Sequence, residues 1–444
     1  MIQQAPTDHS PLAEPMTISF WLWNYFYAIK DGEYFHDLAS CVAGLAVRGF
    51  NTVRVDAGTG LCHTAAGERR GVIEMHEPFP GFSTLRQMDP RTDPRTQGGC
   101  QVDVLEKVIE LFTLAQRFDI RVILSSWFYL HTFWFVDDEL VEEFFGVPVA
   151  ERFRRFAVDT DRLLAELKAR GLQGQIAFVE IQNEFDGLFY LWGLDKLGTN
   201  DEEKRQVLDE FRRWHEEALA FLQARHPDLL FAIDTCHSGI DRAMLPRNAE
   251  VWNYHMYYAW GVYTDVFESP VYDPDFDFAQ ANAHPVVGPF LRRPLLPIED
   301  VRACRKYLPY VGFDWPTRVW LFNNLDAQAL PELEHRLADR LVCDLDMYKQ
   351  RIDTAIQHAA DTCAALFPQI ALVVGEGTTY CAHPDMRWEE ESAAYWELVD
   401  YATRRFRDEG YWGCVPRTNS GPEDPSWREY PERLRAATAR FLER

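Results

Sequence analysis

Apolar residues along this chain fall into two alternating patterns. Short runs rich in β-branched and aromatic residues occur at Ser19–Trp23, Thr52–Asp56, Arg121–Ser125, Ile176–Gln182, Leu230–Asp234, Trp252–Met256, Ala371–Gly375 and Tyr411–Pro416, and each reads as a strand. Between them, apolar positions recur at helical spacing across Tyr34–Arg48, Val102–Phe118, Pro148–Arg170, Asp201–Arg225, Leu333–Leu366, Trp388–Arg407 and Trp427–Leu442. In the first of these, Leu38, Cys41, Val42, Leu45 and Ala46 share one face, and Arg48-Gly49 ends the helix. Alternating strand and helix imply a parallel sheet with right-handed crossovers. Eight strands favour a closed (β/α)8 TIM barrel over an open doubly wound sheet, and no GxGxxG follows the first strand.

Two stretches break the alternation. Gly58–Gly99, rich in Gly, Pro, Thr and Arg, follows strand two, and Tyr263–Leu330, rich in proline and aromatic residues, follows strand six. Loops of this length in a compact protein are usually functional or disordered. The chain is therefore read as a single barrel domain, 1–444, with insertions at about 58–99 and 263–330 placed as a lid or subsite wall on the strand-end face.

Composition narrows the function. With 30 Phe, 18 Tyr and 14 Trp, the chain has too much apolar material to remain a solvated coil. A net charge of −24 argues against binding a phosphate backbone or an anionic membrane, so neither nucleic acid nor membrane is expected as a partner. The nine cysteines are scattered, with no CxxC, as expected of free thiols in a reducing compartment. No basic-then-apolar leader pattern opens the sequence and no long apolar run occurs, so the expectation is a cytoplasmic protein. Whether it forms a homo-oligomer is left open.

In a barrel, chemistry sits where strands meet their following loops. Strand four ends Phe178-Val-Glu-Ile-Gln-Asn-Glu184, and strand seven ends Ala371-Leu-Val-Val-Gly-Glu376. Either glutamate alone could cap a strand or pair with an arginine. Two together, across a sugar-sized cleft, are what glycoside hydrolysis requires. The metal-site spacings HxH and HExxH are absent, as is the GxSxG nucleophile elbow of a serine hydrolase; a two-carboxylate glycosidase needs no metal and no organic cofactor, and none is expected.

These motifs resemble clan A of the glycoside hydrolases, which includes the family 5 cellulases. Asn183-Glu184 is similar to that clan's strand-four pair, and Gly375-Glu376-Gly377 to its strand-seven motif. Arg54 in Asn51-Thr-Val-Arg-Val-Asp56 resembles its strand-two arginine, and His255 and Tyr257 its strand-six His-x-Tyr. Within the clan the chain looks most like the divergent sugar-binding cellulase-like proteins. The resemblance implies a carbohydrate substrate, Glu376 as nucleophile and Glu184 as acid/base in a retaining hydrolase. It further implies that Arg54 keeps Glu376 ionised, Tyr257 bonds the same carboxylate, Asn183 donates to a sugar 2-hydroxyl and His255 orients Glu184 or a leaving-group hydroxyl. Burial and the nearby negative charge should keep Glu184 protonated until it donates.

Aromatic residues gather at the strand ends: Trp21, Trp23, Tyr25, Trp127, Phe128, Tyr129, Phe133, Trp134 and Trp260. Sugar rings stack on such side chains, with Asn24, Ser125, Ser126 and His131 as nearby polar partners. Trp23, Asn24, Trp127 and Trp412 are accordingly candidate substrate contacts. Glu180 and Gln182 share the alternation of Glu184 and read as structural polar residues. Three features depart from the clan pattern. Strand three ends Ser125-Ser126-Trp127 where a histidine is common, and Phe185 stands where proline is frequent. Strand eight lacks a tryptophan at its end, for Trp412 sits early and Trp427 late. A non-catalytic sugar-binding protein and a transglycosidase remain the alternative readings.

Overall fold

The computed structural model of the protein describes residues 14–76, 99–127, 136–186, 200–236, 241–299, 315–367, 369–379, 383 and 385–443. Eight parallel strands close into a barrel: β1 (Met16–Leu22), β2 (Thr52–Asp56), β3 (Arg121–Ser125), β4 (Ile176–Glu180), β5 (Phe231–Thr235), β6 (Val251–Tyr254), β7 (Ala371–Val374) and β8 (Gly413–Cys414). Each strand pairs with the next in sequence, and β8 returns to β1. Register fixes which side chains enter the barrel. Phe20, Arg54, Ile123 and Phe178 are paired positions on β1 to β4. Asp234 and Asn253 are paired on β5 and β6. Val53, Val55, Val122, Leu124 and Val179 alternate with these and are buried beneath the helices. Burial on both faces is why the strands read as nearly continuous apolar runs.

The helices start where a short polar side chain can bond a free backbone N–H. Asp37 caps α1 (Leu38–Val47), Asp103 caps α2 (Val104–Phe118), and Asn200 caps α4 (Asp201–Arg225); α3 is Val149–Ala169. The helix expected over Leu333–Leu366 is two helices, α5 (Leu330–Cys343) and α6 (Leu345–Leu366). Asp344 leaves the helical dihedrals between them, at φ −115° and ψ 20°. The expected Trp388–Arg407 helix likewise breaks at Ser392, whose hydroxyl caps α7 (Ala393–Asp408). The last helix is α8 (Pro431–Leu442).

In the stretch after β2, the described residues include a short strand. Val72–Met75 pairs antiparallel with Cys100–Asp103, a hairpin leading into α2. After β6, the described residues form short 3-10 and π turns followed by a helix at Trp315–Asn323. All seven described cysteines are free. Among the described residues no helix is long and apolar enough to cross a membrane.

One buried histidine offers a probe of the packing. His215 on α4 stacks on Phe153 (centroids 4.4 Å apart, rings 11° from parallel) and meets Phe185 edge-on at 4.7 Å. Neither ring nitrogen has a hydrogen-bond partner among the described residues. Burial lowers its pKa from 6.5 to about 3, so the ring is neutral in the folded protein. Between those values the unfolded chain binds a proton that the native state refuses, and stability rises with pH across that window. His215 should therefore contribute roughly 1.4 kcal/mol of lost stability per pH unit below about pH 6. Urea denaturation at pH 7 and pH 5 should show His215→Leu with a shallower loss than the parent; equal losses would contradict this.

Candidate active site

Arg54 points from β2 into the barrel and is fully buried. Its Nη1 donates to Glu376 Oε1 at 2.6 Å, its Nε and Nη2 to Glu180 Oε2 at 3.1 and 2.9 Å, and its Nη2 also to Asn183 Oδ1 at 2.7 Å. A further bond joins Nη2 to Asp234 Oδ2. Burial opposes the charge on this guanidinium, but Glu180, Asp234 and Glu376 outweigh burial and hold it protonated. The Trp127 ring lies 4.6 Å from the guanidinium carbon and closes one side.

A second chain of contacts runs through His255, just beyond β6. Its Nδ1 lies 2.7 Å from Glu184 Oε1, and its Nε2 lies 3.0 Å from Asp234 Oδ1 and 3.5 Å from Glu376 Oε1. Burial alone would lower the imidazole pKa, but Asp234, Glu376 and Glu184 raise it well above the ordinary value. Asn253 on β6 donates to Glu180 Oε1 at 2.6 Å and accepts the Gly375 backbone N–H at 2.6 Å. Glycine is required at 375, because a Cβ there would lie 2.2 Å from Asn253 Nδ2.

The two glutamates differ in their surroundings. Glu376 is 5% exposed; Oε1 accepts from Arg54 and Oε2 from the Tyr257 hydroxyl. Burial pushes this carboxyl above the usual range, against the pull of His255 and Arg54, and Glu184 adds to the rise. Arg54 alone therefore does not set its ionisation. Glu184 is 8% exposed and has φ 46°, a backbone region that L residues seldom occupy. Its N–H reaches Asp234 Oδ1 at 3.3 Å, so the strained turn is tied to β5.

The structure brings Arg54, Asn183, Glu184, His255, Tyr257, Glu376 and Trp127 together. Trp23 and Asn24 are fully buried just after β1, and Asn24 Nδ2 donates to Glu423 Oε1 at 2.7 Å. Trp412 is not in the cleft. It precedes β8, its Nε1 donates to Glu14 O at 3.1 Å and its ring meets Phe178, which places it at the opposite end of the barrel. A residue before a strand lies on the wrong face for this chemistry. Trp21 turns outward onto Phe35 and Trp427, and Tyr25 bonds the Asp56 carbonyl, so neither belongs to a stacking rim. Phe128, Tyr129, His131, Phe133 and Trp134 lie outside the described residues.

Asp234 and Asn253 were not singled out by the sequence, and Glu180 was read only as structural. Their positions inside the barrel follow from register, and the available signal was strand parity: Asp234 stands at the end of its strand. Glu184, His255 and Glu376 each offer a ligand atom within 4.8 Å of the others. Both Glu376 oxygens and His255 Nδ1 are already engaged, so the set reads as a hydrogen-bonded acid–base cluster.

Arg54 is the only cation bonded to these buried carboxylates among the described residues other than His255. Arg54→Met should destabilise the fold by about 3–5 kcal/mol, because it leaves buried charges uncompensated. Chemical denaturation checks this; a loss below about 1 kcal/mol, the size of an exposed pair, would show that the network does not hold the barrel together.

Comparison with known proteins agrees with this architecture. A solved structure from Parabacteroides distasonis, assigned as a glycoside hydrolase, is similar at a TM-score of 0.63 and 16% identity, covering 96% of this chain and 93% of that one. A family 5 mannosidase from Rhizomucor miehei gives a TM-score of 0.45 at 10% identity, covering 97% and 95%. At 16% identity the first of these speaks for the barrel fold alone, and at a TM-score of 0.45 the second adds nothing to it. No curated protein sequence matches the chain. The sequence model of the sugar-binding cellulase-like family does match, over residues 18–292. That match spans more than half of the chain, which therefore belongs to the sugar-binding cellulase-like family.

Proposed function

We propose that the protein is a retaining glycoside hydrolase that cleaves a β-linked glycoside by double displacement. The observation that carries this reading is the approach of Glu184 and Glu376 at the ends of β4 and β7, with carboxylate oxygens within 4.8 Å. Retaining enzymes place their carboxyl groups about 5–5.5 Å apart, whereas inverting enzymes need about 6.5–9.5 Å to admit water between them. Both Glu376 oxygens receive hydrogen bonds, which support the ionised nucleophile against the burial that raises its pKa. It would attack the anomeric carbon as Glu184 gives its proton to the leaving oxygen. The glycosyl ester then removes the charge on Glu376. Glu184, now ionised, takes a proton from water, which attacks the anomeric carbon and frees Glu376. Asn183 Oδ1 is committed to Arg54, so its amide N–H group is the donor available to a sugar 2-hydroxyl.

We infer soluble oligosaccharides or aryl glycosides as substrates, in keeping with the cytoplasmic reading, and with the insertions after β2 and β6 on the face of the glutamates. The alternative, a sugar-binding protein without turnover, shares every residue named here and is separated by experiment.

A panel of activated 2-deoxy-2-fluoro β-glycosides, followed by peptide mass spectrometry, should label Glu376. A label elsewhere would displace the nucleophile assignment. Absence of any label, with sugar binding retained, would favour the binding protein. Glu376→Gln should abolish turnover while leaving the fold intact. Glu184→Gln should lower kcat about 10²–10⁴-fold on glycosides with poor leaving groups and less on activated ones.

A further inference from the structure

The proposed mechanism asks Glu184 to give up a proton and later to take one, and His255 Nδ1 lies 2.7 Å from its Oε1. What His255 can do for Glu184 depends on which ring nitrogen carries hydrogen. That choice is made on the far side of the ring, by Asp234.

Asp234 is fully buried near the end of β5, and three of the four groups around its oxygens can only donate, while the fourth, His255 Nε2, donates when it carries hydrogen. Oδ1 accepts from the Glu184 N–H at 3.3 Å and lies 3.0 Å from His255 Nε2, an ion-pair approach in which the ring N–H is not aligned for a hydrogen bond, so Asp234 acts on this nitrogen through its charge. Oδ2 accepts from Arg54 Nη2 and from Asn253 Nδ2, the latter at 3.4 Å. The Asn253 amide cannot turn round, because its Oδ1 already holds the Gly375 N–H. Burial pushes the Asp234 carboxyl up, against the pull of His255 and Arg54, with Glu180 adding to the rise. The three neighbours that can only donate are satisfied by the ionised carboxylate, whereas a protonated Asp234 would have to aim its hydrogen at a bare His255 Nε2.

We propose that Asp234 is a positioning residue that keeps hydrogen on His255 Nε2, so that the Nδ1···Glu184 Oε1 contact carries one movable proton. The idea rests on the glycosidase reading only for its purpose. With Nε2 hydrogen-bearing, two arrangements remain along the 2.7 Å contact. Either the Glu184 carboxyl donates to neutral Nδ1, or the imidazolium Nδ1–H donates to the Glu184 carboxylate. They differ by one proton, with one O–H bond exchanged for one N–H bond and no net gain or loss. Glu184 can then lend its proton to a leaving group and recover one from water without reorienting its partner. The charged and titratable groups facing His255 are Glu184, Asp234 and Glu376. Arg54 is bonded to the latter two, and Tyr257 meets the ring edge-on with centroids 6.1 Å apart.

Replacing Asp234 by asparagine keeps the shape but not the instruction. Arg54 and Asn253 would claim the amide oxygen, turning the NH₂ group toward His255. The ring would then have to carry its hydrogen on Nδ1, where neutral imidazole cannot accept from Glu184. An asparagine substituted for the aspartate behind a catalytic imidazole acts in this way in serine proteases.

The test is nitrogen-15 NMR of histidine-labelled protein without substrate, with His255→Gln identifying the signals. In the parent protein Nε2 should remain protonated from about pH 5 to 8, where an ordinary histidine titrates. In Asp234→Asn the neutral ring should switch to the Nδ1–H form, and in Asp234→Glu the Nε2–H should return. An unprotonated Nε2 in the parent protein would overturn the proposal without any variant, as would an Asp234→Asn protein that keeps Nε2–H. With a substrate, Asp234→Asn should lower kcat about 10²–10⁴-fold with little change in KM, and Asp234→Glu should restore part of it. If the spectra behave as expected but no glycoside is turned over, the tautomer lock stands and the hydrolase reading falls.

Discussion

One guanidinium holds the centre of this barrel. Arg54 compensates Glu180, Asp234 and Glu376, side chains with at most 6% exposure. Carboxylates taken from water without a partner would protonate or unfold the site. A lysine could supply the charge but not the fork. Arg54 reaches strands on three sides because its donors diverge in one plane. Asn253 supplies further donors, glycine at 375 makes room for Asn253, and Trp127 covers the exposed flank. Most of the site exists because this cation must be paired from several directions at once.

The departures from the wider cellulase-like pattern acquire physical roles in this light. Where strand three lacks a histidine, the chain continues to Trp127, whose ring packs against Arg54. Phe185, standing where proline is frequent, packs against His215 and Phe211 beneath α4. The end of β8 serves the loop after Glu376 rather than a sugar. Thr418 bonds both the N–H and the carbonyl of Gly377, at 2.8 and 2.6 Å, while Arg417 turns outward to Glu389 and Glu390. Trp427 lies outside the barrel, stacked 6.4 Å from Phe50 and under Arg48. No described tryptophan of this segment floors the cleft.

The sequence showed the elements well where packing and periodicity agree. β3 and α4 fall at their expected bounds, since each is bounded by strong caps or breakers. It failed where local signals cannot see partners. The breaks at Asp344 and Ser392 interrupt patterns that remain helical on paper. The hairpin at Val72–Met75 needed a second strand 25 residues or more away, beyond any local window. Trp412 was misplaced because proximity to a strand in sequence does not say which end of the barrel a side chain faces.

What the chain determined by itself was the alternation of strand and helix, and the two glutamates at strand ends. Both are one-dimensional properties, set by spacing and residue type. The tertiary structure decided how those glutamates differ. Glu376 lies between Arg54 and Tyr257, while Glu184 faces His255, which Asp234 backs. These partners come from β2, β5 and the segment after β6, and only barrel closure brings them within bonding distance. Charge state and tautomer depend on distances and burial, and neither exists until the sheet has closed on itself.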